Sequence, residues 1–160
     1  MKLKKLLYKI DYQLLQGSDM IDISNLTYEY NKKLDNSVFV AIIGNNIDGH
    51  DYIGKAINNG AKVIIVSKNI EIVDDITVIK VDDTNKILCR LSMNYFDNPQ
   101  EKIKTIAITG TKGKTTSSFM IKNILECAGY SVGIIGTIGI YIKNKYYESK
   151  NTTPISYDIF

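Results

Sequence analysis

A glycine-containing stretch at residues 109–116 reads T-G-T-K-G-K-T-T and directly follows a short apolar run. A strand, a glycine loop and a helix start in this order are typical of a phosphate-binding loop, whose backbone N–H groups surround phosphate oxygens. The glycines would let the main chain come close to the phosphates. The lysine near the end of the loop would bring a cation to them, and the hydroxyl group that follows would ligate Mg²⁺. The sequence therefore predicts a site for ATP and Mg²⁺.

The residues predicted to bind ATP are Gly110, Thr111, Lys112, Gly113, Lys114, Thr115 and Thr116. Among them, Lys114 is the candidate catalytic residue and Thr115 the candidate Mg²⁺ ligand. The general nucleotide-binding pattern is G-x-x-x-x-G-K-[ST], and Ile108 stands where that pattern has its first glycine. The loop is thus a shortened variant, and an ordinary glycine turn between a strand and a helix is the alternative interpretation.

Composition places the chain among ordinary soluble proteins. Its 160 residues are 44% apolar, which suits one large or two small domains. The net charge of +3 is modest and the basic residues are scattered, so nothing indicates a nucleic-acid partner. Lys9 and Asp11 interrupt the N-terminal apolar run before an export signal could form, and no run is long enough to cross a bilayer. We therefore expect a cytoplasmic protein that binds neither nucleic acid nor membrane.

The cysteines and the histidine do not predict a metal site. Cys89 and Cys127 lie in helical patterns without a C-x-x-C spacing, so we expect both to be reduced residues of the core. His50 is the only histidine, which excludes a His-rich metal site built from this chain alone.

Strand and helix patterns alternate along the chain. Apolar runs predict strands at residues 20–28, 37–43, 62–66 and 77–81, and helical patterns cover 51–59 and a segment from Asp82 or Asp83 to about 96. This alternation predicts an α/β sheet with substantial parallel pairing. The turn residues at 97–100 end this part and indicate a domain boundary. We therefore expect a first domain at 1–98 and a second at 99–160.

The second domain is expected to be incomplete. Its predicted elements are a strand from Lys104 into the loop, a helix to Ala128, a strand at 131–135, a hairpin at 139–148 and a helix start after Thr153. No later strand ends in the carboxylate that should complete a Mg²⁺ shell. We therefore expect an N-terminal piece of a longer protein, and the alternative is a complete small nucleotide-binding protein.

Three segments together resemble the Mur ligase family and span nearly the whole chain. The phosphate loop is similar to the family's T-G-T-N-G-K-T-T, with Lys112 at the usual Asn. Residues 38–53 are similar to its L-F-V-A-L-x-G…D-G-H-x-F-I stretch, and residues 151–154 match its N-T-T-P. The resemblance implies an N-terminal α/β substrate-binding domain, followed by the beginning of a phosphate-loop α/β central domain, with the C-terminal domain absent.

The resemblance also implies residues that bind a UDP-sugar substrate. By position these are Asn45, Asn46, Ile47, Asn151, Thr152 and Thr153. Where relatives have L-T-x-D-S-R, this chain lacks the Ser and Arg and places Tyr28 and Tyr30. Taken alone, the loop at 45–47 equally suits a plain turn, and Thr-Pro an ordinary helix cap. His50 is expected to pack the loop and not to catalyse.

The implied reaction is ATP-dependent amide formation in peptidoglycan synthesis. The third amino acid would be joined to UDP-N-acetylmuramyl-L-alanyl-D-glutamate through an acyl phosphate, with Mg²⁺ as cofactor, and this chain alone is expected to be inactive. The partners are then small molecules: ATP, the UDP-N-acetylmuramyl dipeptide and an amino acid. The alternatives are a non-catalytic ATP- or UDP-sugar-binding module, a divergent Mur ligase with another acceptor, and a small phosphate-loop kinase.

Overall fold

The computed structural model describes residues 1–71, 75–143, 145–148 and 154–159. The chain divides into two compact units, Met1–Lys102 and Ile103–Ile159. Each unit combines helices with strands, which confirms the predicted α/β class. In the described ranges, every helix is too short or too polar to span a membrane.

The first unit is built on a five-stranded sheet. Its strands are β1 (Gln13–Gln16), β2 (Asn25–Thr27), β3 (Ser37–Val40), β4 (Ala61–Val66) and β5 (Thr77–Lys80). They lie in the order β1-β5-β4-β3-β2, and β2 to β5 pair in parallel. The predicted parallel pairing is therefore confirmed. The antiparallel edge strand β1 was not predicted, because its sequence is exposed and polar at both ends.

Helices cover this sheet because its central strands are apolar on both faces. The helices are α1 (Leu3–Leu6), α2 (Ile53–Asn58) and α3 (Thr84–Tyr95), and a 3₁₀ turn at Gly49–Tyr52 precedes α2. Ile53 and Ala56 of α2 pack in one buried cluster with Phe39 and Ile64 of the sheet. Asp83, one of the two predicted starting residues, caps α3 by accepting hydrogen bonds from the backbone N–H groups of the first turn.

Asn94 joins α3 to the N-terminal segment. Its side-chain amide is buried and donates hydrogen bonds to the carbonyl oxygens of Leu6 and Tyr8, both at 2.8 Å. These carbonyls lie at and just beyond the end of α1, where helical partners are lacking. One polar side chain therefore satisfies two backbone acceptors, which ties α1 to α3.

The second unit consists of α4 (Lys114–Cys127), the strands β6 (Gly133–Gly136), β7 (Gly139–Ile142) and β8 (Lys145–Tyr147), and the short helix α5 (Ser156–Ile159). The strands form an antiparallel sheet, and the predicted β7–β8 hairpin is confirmed. Phe119 of α4 meets Tyr141 of β7 edge-on, with ring centroids 5.2 Å apart. This aromatic contact joins the helix to the sheet.

Two expectations for this unit are wrong. Residues 104–110 form no strand, although their apolar run predicted one, because they do not pair with the described β6–β8 sheet and Ile106 remains 59% exposed. Cys127 is exposed at the end of α4, whereas Cys89 is partly buried. Both cysteines are free thiols, but the expected core position does not hold for Cys127.

We predict that Asn94→Ala lowers the free energy of unfolding by about 1–3 kcal/mol, because it leaves one buried and one partly buried backbone acceptor without their donor. The measurement is urea denaturation followed by circular dichroism. Asn58→Ala is the matched control, because Asn58 is also helical but is exposed on α2. Equal stability of the two variants would contradict this role of Asn94.

Candidate functional site

The phosphate loop begins α4 through a glycine in a left-handed conformation. Gly113 is the N-cap residue of α4 with φ 79°, and Gly110 has φ 153°. A Cβ atom added at Gly113 would meet nothing within 4 Å. Among the protein's own atoms there is room for a side chain, so it is the backbone conformation that requires a glycine here.

The backbone N–H groups of the loop have no acceptor in the described part of the chain. Along residues 110–117 the first backbone donor is Ser117, whose N–H bonds the Gly113 carbonyl at 2.9 Å. The preceding N–H groups stand at the positive end of the 14-residue helix α4. This arrangement attracts an anion with several acceptor oxygens, such as a phosphate.

Lys114 closes the loop on itself. Its Nζ donates a hydrogen bond to the carbonyl oxygen of Gly110 at 2.6 Å. Thr111, Lys112, Thr115 and Thr116 are all exposed. The structure thus brings the predicted ATP-binding residues together in one exposed loop with two cationic side chains and no acidic residue in the first turn of α4.

Thr115 fits the predicted role of Mg²⁺ ligand in part. Its hydroxyl lies in the first turn of α4, and an oxygen donor suits this ion. In the described ranges, no group of three His, Cys, Asp or Glu residues could hold a metal ion. A Mg²⁺ ion at this loop would therefore depend on phosphate oxygens and water for its other ligands.

In the first unit, the candidate substrate loop at residues 44–47 follows β3. Ligands of parallel sheets bind at the carboxyl ends of the strands, where this loop lies. Asn85 of α3 holds its base: the side-chain oxygen of Asn85 accepts from the N–H of Ile43 at 2.9 Å, and the amide donates to the Ile43 carbonyl at 2.7 Å. Beyond these two hydrogen bonds the loop is exposed, at Asn45, Asn46 and Ile47.

Gly49 and Thr84 contact the backbone at residues 41–42, just before the same loop. A Cβ atom at Gly49 would lie 2.8 Å from the Ile42 carbonyl oxygen, so only glycine allows the two backbone segments to approach. The Thr84 hydroxyl donates to the Ala41 carbonyl at 2.8 Å in a buried position. The loop is therefore preformed, although the sequence alone gave no sign of Asn85 or Thr84.

Asp48, His50 and Ser67 form a hydrogen-bonded series beside the loop. His50 Nδ1 lies 2.6 Å from Asp48 Oδ1, and the Ser67 Oγ lies 3.4 Å from His50 Nε2. The order resembles a nucleophile, a base and an orienting carboxylate. However, the backbone N–H of Ser67 already donates to Nε2 at 3.1 Å, so the imidazole has no lone pair left for a base.

His50 is thus a structural bridge, which confirms its predicted packing role. Because Nε2 accepts a hydrogen bond, the proton of the neutral ring lies on Nδ1 and is donated to Asp48. The second Asp48 oxygen binds the ammonium group of Lys68. The hydrogen bond from Lys68, together with those from His50, holds the pKa of Asp48 well below its usual range.

The predicted substrate residue Tyr30 lies in an aromatic stack. Its ring packs on Tyr52 with centroids 4.0 Å apart and planes inclined by 12°. The Lys55 ammonium lies 5.2 Å from the Tyr52 centroid and 5.8 Å from that of Tyr30. Tyr52 lies in the segment that resembles D-G-H-x-F-I but was not singled out as a site residue, and Lys55 carries no motif of its own.

The other predicted substrate residues are Tyr28 and the three at 151–153. Tyr28 directly follows β2 and is partly buried. Asn151, Thr152 and Thr153 lie outside the described residues. Each group remains a separate candidate within its own part of the chain.

We predict that Asp48→Asn loses stability at neutral pH and that this loss shrinks in acid. A carboxyl whose pKa is lowered by folding contributes stability above its unfolded pKa of about 4, and the contribution disappears as the pH falls toward the folded value. The measurement is urea unfolding of parent and variant between pH 7 and pH 2.5. Asp97→Asn is the control, because the Asp97 side chain is 77% exposed. A stability difference independent of pH would contradict the prediction.

Family comparisons agree over both units. Residues 32–95 match the profile described as "Mur ligase family, catalytic domain", and residues 108–159 match the "Mur ligase middle domain". The chain is 48% identical over 159 residues to the UDP-N-acetylmuramoyl-L-alanyl-D-glutamate--2,6-diaminopimelate ligase of Clostridium perfringens, covering 99% of this chain and 33% of the relative. The ligase of that name from Fusobacterium nucleatum is 38% identical over 151 residues, covering 94% and 31%.

The chain thus spans about a third of the length of the curated relatives it matches. Among solved structures, MurF from Acinetobacter baumannii is similar with a TM-score of 0.57 and 25% identity, covering 79% of this chain and 27% of that one. The two family profiles fall on different units, one on each candidate site. The chain belongs to the Mur ligase family.

Proposed function

We propose that this chain supplies the nucleotide-binding loop and a UDP-sugar-binding unit to an ATP-dependent ligase of peptidoglycan synthesis. The ligase joins an amino acid to UDP-N-acetylmuramyl-L-alanyl-D-glutamate. The observation that carries the proposal is the phosphate loop at 109–116, whose N–H groups lack acceptors in the described structure. The loop lies in a chain that is 48% identical to the Clostridium perfringens UDP-N-acetylmuramoyl-L-alanyl-D-glutamate--2,6-diaminopimelate ligase.

The phosphate loop supports ATP as the energy source. Its N–H groups and Lys114 would hold the phosphates, so that the γ-phosphoryl group can pass to the terminal carboxylate of the dipeptide. An acyl phosphate forms, the incoming amine attacks its carbonyl carbon, and phosphate leaves as the amide forms. Lys114 would offset the negative charge that accumulates when two anions are brought together. Mg²⁺, with Thr115 among its ligands, would further reduce that charge.

The first unit supports a role in holding the UDP-sugar. Its loop at 44–47 is preformed at the carboxyl edge of a parallel sheet and presents two amide side chains, Asn45 and Asn46, to solvent. Tyr30, stacked on Tyr52, offers an aromatic surface beside the Lys55 cation. We assign UDP-sugar binding to residues 1–98 and ATP binding to residues 99–160, with Tyr28, Asn151, Thr152 and Thr153 as further substrate contacts.

The relatives' names support 2,6-diaminopimelate as the amino acid. Eight relatives that cover 94–99% of this chain carry that name. These ligases are about three times as long as the chain. We propose that the residues that select the amino acid lie in the part of the ligases that this chain does not match. ATP and a UDP-linked precursor are metabolites of the cytoplasm, which we propose as the location.

A chimera tests the proposal. We predict that residues 1–160, fused to the remainder of the Clostridium perfringens relative, add diaminopimelate to the UDP-N-acetylmuramyl dipeptide with release of ADP and phosphate. The measurement is chromatographic detection of the tripeptide product. Lys114→Ala in the same chimera should lower kcat/KM at least about a hundredfold, because removal of a preorganised electrostatic contact has that size of effect.

The 160-residue chain and the intact relative are the controls. The chain alone should bind Mg²⁺·ATP without forming product, and the relative should be fully active. A folded chimera that binds ATP but never forms product would instead favour a non-catalytic binding module. Activity with another amino acid and none with diaminopimelate would favour a divergent ligase.

A further inference from the structure

The two lysines of the phosphate loop stand in different situations. Lys114 donates to the Gly110 carbonyl at 2.6 Å, so its ammonium is directed to the loop's own backbone. The Lys112 side chain is exposed and has no hydrogen bond, ion pair or aromatic contact to any residue that the structure describes. Only Lys112 therefore presents an uncommitted ammonium group to an incoming anion.

Helix α4 places no acidic side chain beside the loop. The first turn of α4 carries no acidic residue. The acidic side chain of α4, Glu126, pairs with Lys122 at 2.6 Å, three turns further along the helix. The positive charge of Lys112 thus adds to the dipole of α4 in front of the unsatisfied N–H groups.

We propose that Lys112 captures the polyphosphate of the nucleotide on encounter, and that Lys114 then retains it by exchanging the Gly110 carbonyl for a phosphate oxygen. The ligand class is a nucleoside di- or triphosphate, whose charge exceeds that of a monophosphate. The inference rests on the proposed function, because it divides the binding of ATP between the two lysines. Lys112 is a binding residue and takes no part in the chemical step.

If nucleotide binding is divided between the two lysines in this way, their variants should differ in binding kinetics. An exposed charge at the rim of a site mainly sets the association rate and its dependence on salt, whereas a desolvated contact mainly sets the dissociation rate. Lys112→Asn should therefore slow association about two- to fivefold at low ionic strength, the size of an exposed ion pair. The effect should disappear in 0.5 M salt, where screening shortens the reach of a charge to about 4–5 Å.

The test is stopped-flow fluorescence with Mg²⁺ and an N-methylanthraniloyl derivative of ATP, using the 160-residue chain. Lys112→Asn should lower the association rate and leave the dissociation rate within about twofold, and Lys112→Arg should restore association. Lys114→Met should abolish binding of the nucleotide or greatly speed its dissociation. Association of the corresponding AMP derivative should respond less to Lys112→Asn than that of the ATP derivative.

Lys143→Asn is the matched control, because it removes the same charge from the same unit. Lys143 has φ 53°, a conformation that Asn favours, and its N–H bonds the carbonyl of Val132, which follows the C-terminal end of α4, opposite the loop. This variant should bind the nucleotide with the parent's rates. Circular dichroism confirms that each variant is folded.

The outcomes separate the inference from the proposed function. If Lys112→Asn associates like Lys143→Asn while Lys114→Met loses the nucleotide, the role of Lys112 is overturned and the ATP site stands. If Lys112→Asn changes only the dissociation rate, Lys112 is a retaining contact and the proposed order is wrong. If neither the parent nor Lys114→Met binds differently from buffer, the nucleotide site itself fails, and the inference fails with it.

Discussion

The backbone N–H groups at the start of α4 impose the main chemical constraint on this chain. Residues 110–116 offer donors without a described acceptor, and the helix behind them directs a positive field toward the same point. Donors of this kind need an external acceptor, and a phosphate group supplies several oxygens at once. The hydrogen bond from Lys114 to Gly110 satisfies one carbonyl but none of these donors. The loop is therefore stabilised most by an anion.

In the first unit, by contrast, polar side chains supply the hydrogen-bond partners of the backbone from within the chain. Asn85 and Thr84 bind carbonyl and N–H groups at the end of β3, and Asn94 binds two carbonyls beyond α1. His50 links Asp48 to the backbone that follows β4. Because each of these polar groups is paired, the backbone is held in place where the candidate substrate loop leaves the sheet. A series that resembles a catalytic triad is thereby a structural element.

Sequence patterns were sufficient wherever a local rule decides the structure. The start of α3 at Asp83 and the apolar parallel strands both follow from local sequence patterns. Sequence patterns failed where the local structure depends on a partner that is distant in the chain. The apolar run at 104–108 forms no strand without a neighbour to pair with, and β1 forms because β5 offers it an edge. Tyr52 was missed as a candidate for the site because its stacking on Tyr30 depends on tertiary structure.

The two candidate sites therefore differ in how much order a ligand must add. At residues 44–47, side chains from α3 already fix the base of the loop, so little conformational entropy remains to be lost when a substrate binds. At residues 109–116, every residue is exposed and one lysine contact crosses the loop, so the nucleotide must itself supply the missing hydrogen bonds. Because ordering opposes binding, a loop of this kind favours a ligand with several charged acceptor oxygens, which agrees with the proposed binding of a triphosphate.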